Sequence, residues 1–522
     1  MDTLLTAEIV ANSPRFRRKS SIFVDAIHDL PEKADLAPAQ LYSTESGRLF
    51  HSGRIVIITV GLPARGKTHI SVALARYLRW LGVKTRIFHL GDYRRATIPF
   101  GEDMPDDYFY VNATAKSVLL RQKIVRKCRE DIYHFLNHEN GQIAIYDAVN
   151  PLASGRRSLA KEFAKHDIET LFIESWCDDE HIIEENVRRV KISSPDYVSW
   201  KSEDAVKHYL NRISSRIPQF QTMEEKDLNY IKMINAGERL IVNNRSFGYL
   251  SNRIVFYLLN LHIKSRRTYF ARAGVSLDAD SYKADASLSE QGEDYAKKMT
   301  ARLLAHREEE KQAMIERGET GYESRPLKVW TSTRRRTVET AKYLHENGYK
   351  IRQRSQLSQL NPGVCEKMSE NHIRAEFGDE SYHDLAVRLE PIILELEREQ
   401  TDLLIIAHES VLRVLYGYLM ACNAADIPFL EFPRDEIIEI VPESYQNEAQ
   451  RIHIPDLPAE IIPDSPEDLK IPVPPSGVVS PTQGLGTPEG QATPNSGHRT
   501  PSGIRTPRER ERISQQHVED VV

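Results

Sequence analysis

Runs of apolar residues alternate with helical patterns of apolar and polar positions along residues 53–265. The first run, Arg54–Val60, is rich in β-branched residues and predicts a buried parallel strand. Residues 67–81 carry apolar side chains at helical spacing, and residues 117–136 predict a long helix. Further strands are predicted at residues 85–90, 142–147 and 169–174. Strands that alternate with helices in this way predict a parallel α/β sheet.

The same alternation returns over residues 266–445 and predicts a second α/β domain. Its predicted strands are residues 268–271, 327–331 and 402–407, with helices at residues 290–307 and 384–398. Residues 1–50 are polar and irregular, and they predict an N-terminal arm. From residue 450 to residue 522 prolines recur and apolar periodicity ends. This Pro/Ser/Thr-rich segment cannot bury a core, so it predicts a disordered tail.

Composition and charge mainly exclude classes of protein. The chain has 70 Lys and Arg against 75 Asp and Glu, a net charge of -5, which gives no sign of a nucleic-acid partner. Its four cysteines form no CxxC pair, which argues against a zinc site and against a secreted disulfide framework. No apolar run approaches the length that spans a bilayer, and no signal peptide is evident. We therefore expect no membrane partner and a cytoplasmic location.

The segment after the first predicted strand satisfies the pattern G-x-x-x-x-G-K-[ST] in full; it reads Gly61-Leu62-Pro63-Ala64-Arg65-Gly66-Lys67-Thr68. In such a phosphate-binding loop, or P-loop, backbone N–H groups surround the phosphates of ATP and the glycines allow close approach. Lys67 reaches the β- and γ-phosphates, and the Thr68 hydroxyl binds the Mg²⁺ that accompanies ATP. The competing interpretation is a glycine turn in a Rossmann-type sheet.

A P-loop enzyme also needs an acidic residue at the end of a neighbouring strand to hold Mg²⁺. Asp147 closes the strand predicted at residues 142–147, and Asp92 follows the strand at 85–90, so the residues alone leave both open. A phosphorylated acceptor would need cationic side chains near the loop. The candidates are Arg94, Arg95, Arg121, Arg156, Arg157, Lys191 and Arg212.

Five motifs in order resemble those of the bifunctional 6-phosphofructo-2-kinase/fructose-2,6-bisphosphatase family. The first is the P-loop, and the others are Gly91-Asp92-Tyr93-Arg94-Arg95, Tyr146-Asp147-Ala148-Val149-Asn150, the segment 172–179 and the segment 190–197. The resemblance covers roughly residues 53–445 and implies a P-loop NTPase-like domain followed by a phosphoglycerate-mutase-like (histidine phosphatase) domain. It also implies the reaction of ATP with fructose 6-phosphate to give fructose 2,6-bisphosphate and ADP, which controls glycolytic flux.

Carried over by position, the resemblance implies roles for individual residues. The implied catalytic residues are Lys67, Asp147, Cys177 and Lys191, and Thr68 and Asp147 are the implied metal ligands. Besides the P-loop, ATP would contact Asn186 and Lys191, and fructose 6-phosphate would contact Arg94, Arg121, Arg156, Lys191 and Arg212. The chain departs from the family pattern at Val149, at Arg216 and in a longer loop before Arg156.

The second domain departs from the family at its centre. The family signature Arg-His-Gly-Glu is replaced by Arg272-Ala273-Gly274-Val275, and alanine cannot accept a phosphoryl group. Three other parts of the pocket remain as matches, namely Arg336, Glu366 and His408. We expect a kinase without bisphosphatase activity. A bifunctional enzyme with a weak phosphatase and a nucleotide-binding scaffold are the alternatives.

Regulatory sites are predicted at both ends of the chain. Ser20 follows Arg17-Arg18-Lys19, which is typical of a basophilic kinase site. Proline-directed kinases are expected to act on the tail at Ser465, Ser480, Thr487, Thr493, Thr500 and Thr506. The competing interpretation is a solvated arm and a solvated tail without modification. The sequence does not define the oligomeric state, and a homodimer is one arrangement left open.

Overall fold

A computed structural model describes most of the two predicted domains. The described ranges are 54–98, 105–109, 113–180, 219–262, 266–277, 285–316, 326–359, 382–442 and 446–457, with the single positions 182, 183, 186, 187, 204, 207 and 210. The N-terminal arm, Ser20, and the tail sites from Ser465 onward lie outside these residues. No helix in the ranges just given is long and apolar enough to cross a membrane.

The first domain is built on one six-stranded sheet of order β2-β3-β1-β4-β5-β6. Its strands are β1 (Arg54–Val60), β2 (Thr85–His89), β3 (Ile143–Asp147), β4 (Ile168–Trp176), β5 (Tyr230–Ile234) and β6 (Arg239–Asn243). Its helices are α1 (Lys67–Trp80), α2 (Leu90–Thr97), α3 (Ala115–His138), α4 (Ala153–Ala164) and α5 (Tyr249–Asn260). The strands and helices predicted for this region are present, with ends that differ by at most two residues.

The prediction of a parallel sheet is wrong at one edge. Strands β1 to β5 pair in parallel, but β6 runs antiparallel to β5. The two strands are joined by the short segment Asn235–Gly237, in which all three residues have positive φ angles of 49°, 58° and 99°. So short a connection can only reverse the chain, because a parallel crossover needs a dozen or more residues.

The second domain has a mixed six-stranded sheet of order β12-β11-β7-β10-β8-β9. Its strands are β7 (Thr268–Arg272), β8 (Leu327–Thr331), β9 (Ile351–Gln353), β10 (Asp402–Ala407), β11 (Glu436–Pro442) and β12 (Asn447–His453). Its helices are α6 (Glu290–Glu316), α7 (Arg335–Thr340), α8 (Lys342–Glu346), α9 (Tyr382–Arg398) and α10 (Glu409–Leu419). Strands β11 and β12 are antiparallel additions to a parallel centre.

The predicted domain end at residue 445, with a tail from 450, is too early. Strand β12 crosses both positions and pairs with β11 along its whole length. Its polar residues Glu448, Gln450 and Arg451 hide the pattern, because this edge strand buries only some of its side chains, among them Ala449 and Ile452.

The core explains why the strands were visible in the sequence. Six of the seven residues of β1 are buried, as expected for a strand covered on both faces. On one face Val56 and Ile58 pack in a cluster with Phe135 of α3. On the other face Ile55 and Ile57 belong to a cluster that includes α1 and α5 and continues into α9, α10 and β10 of the second domain. The two sheets are therefore joined through one continuous apolar core.

Candidate active site

The P-loop joins the end of β1 to the start of α1. Gly61 has φ 140°, and a Cβ atom there would lie 2.6 Å from the carbonyl oxygen of Ser175 on β4, so only glycine lets the loop pass this close. Gly66 has φ 84° and precedes α1 without any side-chain cap for the helix. The first N–H groups of α1 therefore depend on a ligand or solvent, which suits an anion.

Lys67 and Thr68 open α1, and Asp147 closes β3. The Lys67 ammonium group donates to the carbonyl oxygen of Leu62 at 2.6 Å, inside the P-loop. The Thr68 hydroxyl donates to Oδ2 of Asp147 at 2.8 Å. This contact arises because β1 and β3 are parallel neighbours, so both strands end at the same edge of the sheet.

Thr59 and His89 hold Asp147 in place. The Thr59 hydroxyl lies 3.1 Å from Oδ1 of Asp147, and Nδ1 of His89 lies 2.8 Å from Oδ2. An ionised carboxylate only accepts hydrogen bonds, so Nδ1 of His89 carries the proton in this contact. Burial favours a raised pKa for Asp147, but the contact with His89, the charge of Lys67 and the Thr68 hydroxyl outweigh it and lower the pKa of Asp147. Asp147 is thus a buried, ionised carboxylate.

The competing acid, Asp92, occupies a different environment. It lies in the first turn of α2 and pairs with Arg95, and its side chain is more exposed than that of Asp147. Of the two acids, Asp147 is the one that accepts a hydrogen bond from the P-loop, through the Thr68 hydroxyl. Oxygen donors from a hydroxyl and a carboxylate are the kind of ligand that Mg²⁺ takes, so Thr68 and Asp147 fit the metal that accompanies ATP.

Cys177 and Asn186 both lie close to the P-loop region. Cys177 directly follows β4 and is buried, and its thiol donates to the carbonyl oxygen of Asp179 at 3.6 Å. Burial raises the pKa of Cys177, so the side chain stays a neutral thiol. The Asn186 amide donates to the carbonyl oxygen of Ala64 at 3.0 Å, and Val187 packs on the Ala64 side chain. The structure thus brings Asn186 to the loop.

Arg156, which was predicted to bind the sugar phosphate, has partners inside the protein, and its role as a ligand of the substrate stays a prediction. Its guanidinium group is fully buried and pairs with Glu225 at 2.6 Å. It also donates to the carbonyl oxygens of Asn150, Pro151 and Gln221 at 2.9 to 3.1 Å. These internal contacts indicate that Arg156 supports the loop after β3. Its neighbour Arg157 is exposed and pairs with Asp227.

The remaining predicted sugar-phosphate residues are only partly described. Arg94 is buried on α2, which starts where β2 ends, at the edge of the sheet that carries Asp147. Arg121 is half-buried on α3. Lys191 and Arg212 lie outside the described residues, as does Arg216, so their roles stay predictions.

The second domain forms a cationic pocket around His408, which directly precedes α10. His408 is 6% exposed, and its Nδ1 lies 2.6 Å from the guanidinium group of Arg336. Burial lowers the pKa of His408 well below its ordinary value, and the charges of Arg336, Arg334, Arg272 and Arg434 lower it further. The imidazole is therefore neutral.

Ala273 sits at the end of β7 beside this pocket. Its N–H group donates to the carbonyl oxygen of Ala407 at 2.9 Å, and its own carbonyl oxygen accepts from Arg434 at 2.9 Å. Arg272 pairs with Glu409 at 2.8 Å. Glu366, the predicted acid of the pocket, lies outside the described residues. The arginines and His408 are thus brought together, around a position with no nucleophilic side chain.

Two family models divide the chain between them. A model described as 6-phosphofructo-2-kinase matches residues 42–265, and one described as histidine phosphatase superfamily (branch 1) matches residues 269–455. The human protein named 6-phosphofructo-2-kinase/fructose-2,6-bisphosphatase 1 is 32% identical over 480 residues, which cover 84% of this chain and 96% of the human protein. The chain belongs to the 6-phosphofructo-2-kinase/fructose-2,6-bisphosphatase family.

Other similar proteins carry the same family name. A Saccharomyces cerevisiae protein with that name as a provisional assignment is 39% identical over 464 residues, covering 83% of this chain and 90% of its own length. Among solved structures, mycobacterial glucosyl-3-phosphoglycerate phosphatase aligns with 36% of this chain at 19% identity and a TM-score of 0.28.

Two residues of the site, Thr59 and His89, were not predicted from the sequence. Both contact Asp147, but they lie near the ends of β1 and β2 and belong to none of the motifs described above. A signal was available: parallel strands end at one edge of the sheet, so the last polar residues of β1 and β2, the strands on either side of β3, lie near Asp147.

Proposed function

We propose that this chain is a 6-phosphofructo-2-kinase, which transfers the γ-phosphate of ATP to the 2-hydroxyl of fructose 6-phosphate. The bond from the sugar oxygen to the γ-phosphorus forms as the bond to the β–γ bridging oxygen breaks. The products are fructose 2,6-bisphosphate, ADP and the proton of the hydroxyl group. The proposal rests on the arrangement of the P-loop. Lys67 donates to the carbonyl oxygen of Leu62 within the loop, and Thr68 donates to the buried, ionised Asp147.

The residues of the site act mainly through charge and position. Lys67 and the first N–H groups of α1 stabilise the charge that develops on the transferred group. Thr68 and Asp147 would hold the Mg²⁺ that accompanies ATP, and the ion would supply positive charge to neutralise the phosphate groups. The lowered pKa of Asp147 makes it a weak base, so we assign it to the metal rather than to the proton of the sugar hydroxyl.

The test compares the full chain with its Lys67→Ala variant. With Mg-ATP and fructose 6-phosphate, the wild-type chain is expected to form an acid-labile fructose bisphosphate, and Lys67→Ala to lose at least about 100-fold of that rate. Lys165→Ala, at an exposed lysine after α4, is the matched control and keeps the rate. A wild-type chain that binds ATP but makes no bisphosphate would instead favour a nucleotide-binding scaffold.

We further propose that the second domain has no fructose-2,6-bisphosphatase activity. Ala273, which follows β7, supplies no nucleophile. His408 follows a different strand, β10, and its Nδ1 atom is engaged by Arg336. With fructose 2,6-bisphosphate that is radiolabelled in its 2-phosphate group, we expect neither release of labelled phosphate nor labelled phosphohistidine. A phosphohistidine that disappears in His408→Ala would show that His408 had taken over, and would overturn this proposal.

Regulation is proposed at the two ends of the chain. The basic residues before Ser20 and the six Ser/Thr-Pro pairs after residue 464 support phosphorylation by protein kinases. Phosphopeptide mapping of the protein from its own cells tests this, and unmodified sites throughout would contradict it. Light scattering of the purified chain decides between a monomer and the homodimer that the sequence leaves open.

A further inference from the structure

The helix that begins at the P-loop ends against the second domain. Near the C-terminal end of α1, the guanidinium group of Arg76 pairs with Glu397 of α9 at 2.6 Å. The two side chains are 10% and 7% exposed, so this ion pair is buried between the domains. Water screens such a pair poorly, and each charge depends on the other.

Glu397 is the centre of a small network. The hydroxyl of Tyr418 on α10 donates to the same carboxylate oxygen at 2.6 Å, and the Tyr418 ring lies 5.1 Å from the Arg76 guanidinium carbon. Burial favours a raised pKa for Glu397, but Arg76, Arg266 and the Tyr418 hydroxyl outweigh it and lower the pKa. Glu397 is therefore ionised, with Arg76 as its paired cation.

Tyr257 of α5 ties the same network to the backbone of α1. Its hydroxyl lies 3.0 Å from the carbonyl oxygen of Ala73 and 3.4 Å from Glu397, and its ring stacks on Tyr77 at 4.3 Å. The Tyr77 hydroxyl in turn donates to Glu390 at 3.0 Å. Glu390 and Glu397 are seven residues apart, so they lie on one face of α9 and present two carboxylates to α1.

These contacts hold the C-terminal half of helix α1, whose N-terminal end belongs to the P-loop. Arg76 is eight residues after Thr68, about 12 Å along the helix axis. A helix of this length moves as one body, so a shift at Arg76 moves Lys67 and Thr68 as well. Positional errors of 1 Å at reacting groups can cost about 100-fold in rate.

We propose that the phosphatase-like domain is a working part of the kinase, in which Glu397 acts through Arg76 as a positioning residue for the P-loop helix. The inference rests on the kinase function proposed above. It gives the second domain a role that does not need the missing nucleophile at position 273.

The experiment uses the full chain and the Glu397→Gln variant, which keeps the shape of the side chain and removes its charge. We expect kcat to fall about tenfold or KM for ATP to rise by a similar factor, at a temperature where both proteins are folded. Glu395→Gln is the matched control on α9, because Glu395 pairs with Arg354 on the surface of the second domain. That control should retain wild-type kinetics.

Two further variants separate positioning from stability. Tyr418→Phe removes only the hydroxyl that donates to Glu397, and it serves if Glu397→Gln does not fold; a kcat several-fold below wild type is expected. The effects of Arg76→Gln and Glu397→Gln on kcat should not multiply in the double variant, because both break one pair. If Glu397→Gln and Tyr418→Phe lower only the melting temperature and leave kcat and KM unchanged, the inference is wrong. A wild-type chain without kinase activity would contradict the proposed function instead.

Discussion

Replacement of Thr59 by valine tests how the site is built, because the hydroxyl group of Thr59 is buried at the end of β1. It accepts from the N–H group of Ala148 at 3.0 Å and lies 2.8 Å from the carbonyl oxygen of Ala148. It also lies 3.1 Å from Oδ1 of Asp147. Valine has nearly the same shape, so Thr59→Val removes the hydrogen bonds and leaves the packing.

The expected cost follows from the groups left without this partner. A buried N–H or C=O group that loses its hydrogen bond costs about 1–3 kcal/mol, so two such groups cost about 2–6 kcal/mol. The extra methyl group of valine offsets about 1 kcal/mol through apolar burial. We therefore expect a net loss of roughly 1–5 kcal/mol, and a fall in kcat/KM of about tenfold because the segment that carries Asp147 loses both hydrogen bonds between Ala148 and Thr59.

Urea unfolding followed by tryptophan fluorescence measures the first effect, and the formation of fructose 2,6-bisphosphate measures the second. Thr59→Ser is the control: it keeps the hydroxyl, loses one methyl group and should cost only about 1 kcal/mol with little change in rate. If Thr59→Val matches Thr59→Ser in both measurements, the hydroxyl group does not organise the segment that carries Asp147.

Two other predictions concern buried ionisable side chains. Arg156→Met leaves Glu225 buried without a partner and should lower the free energy of unfolding by about 3–5 kcal/mol. The control Arg157→Met breaks an exposed ion pair and should lower the free energy of unfolding by less than about 1 kcal/mol. If Arg156→Met has normal stability but a raised KM for fructose 6-phosphate, Arg156 is a ligand of the substrate. The second prediction concerns the dependence of stability on pH. The pKa of His408 in the folded state is lowered well below the value near 6.5 of the unfolded state. The contribution of His408 to the free energy of unfolding is therefore present above pH 6.5 and is lost as the pH falls below 6.5. His408→Gln should therefore show a smaller loss of stability than wild type between about pH 6.5 and pH 5, as followed by urea unfolding across that range; equal losses in both proteins would contradict the low pKa.

The sequence by itself predicted the parts whose signal is local. Strands covered on both faces need continuous apolar runs, so β1, β8 and β10 were visible from their residues alone. The P-loop was equally clear, because its chemistry requires glycines, a lysine and a hydroxyl at fixed spacing. The missing nucleophile at Ala273 is a matter of residue identity, which no fold can change.

The edge strands were less visible for a physical reason. No residue of β6 is buried, and only three of the seven residues of β12 are buried. β12 has no continuous apolar run, and in both strands the pairing is set by a partner strand rather than by the segment itself. Only the assembled sheet shows that the second domain continues to His453.

Tertiary structure also decided which charged residues belong to the site. Arg156 and Arg94 look alike in the sequence, yet the partners of Arg156 include Glu225, which lies 69 residues further along the chain. Asp147 is distinguished from Asp92 by Thr68 and Thr59, because parallel strands end together at one edge of the sheet. The pair of Arg76 and Glu397 joins residues 321 positions apart. Local patterns determined the elements and the chemistry available, whereas long-range packing decided which side chains bind, which support and how the two domains meet.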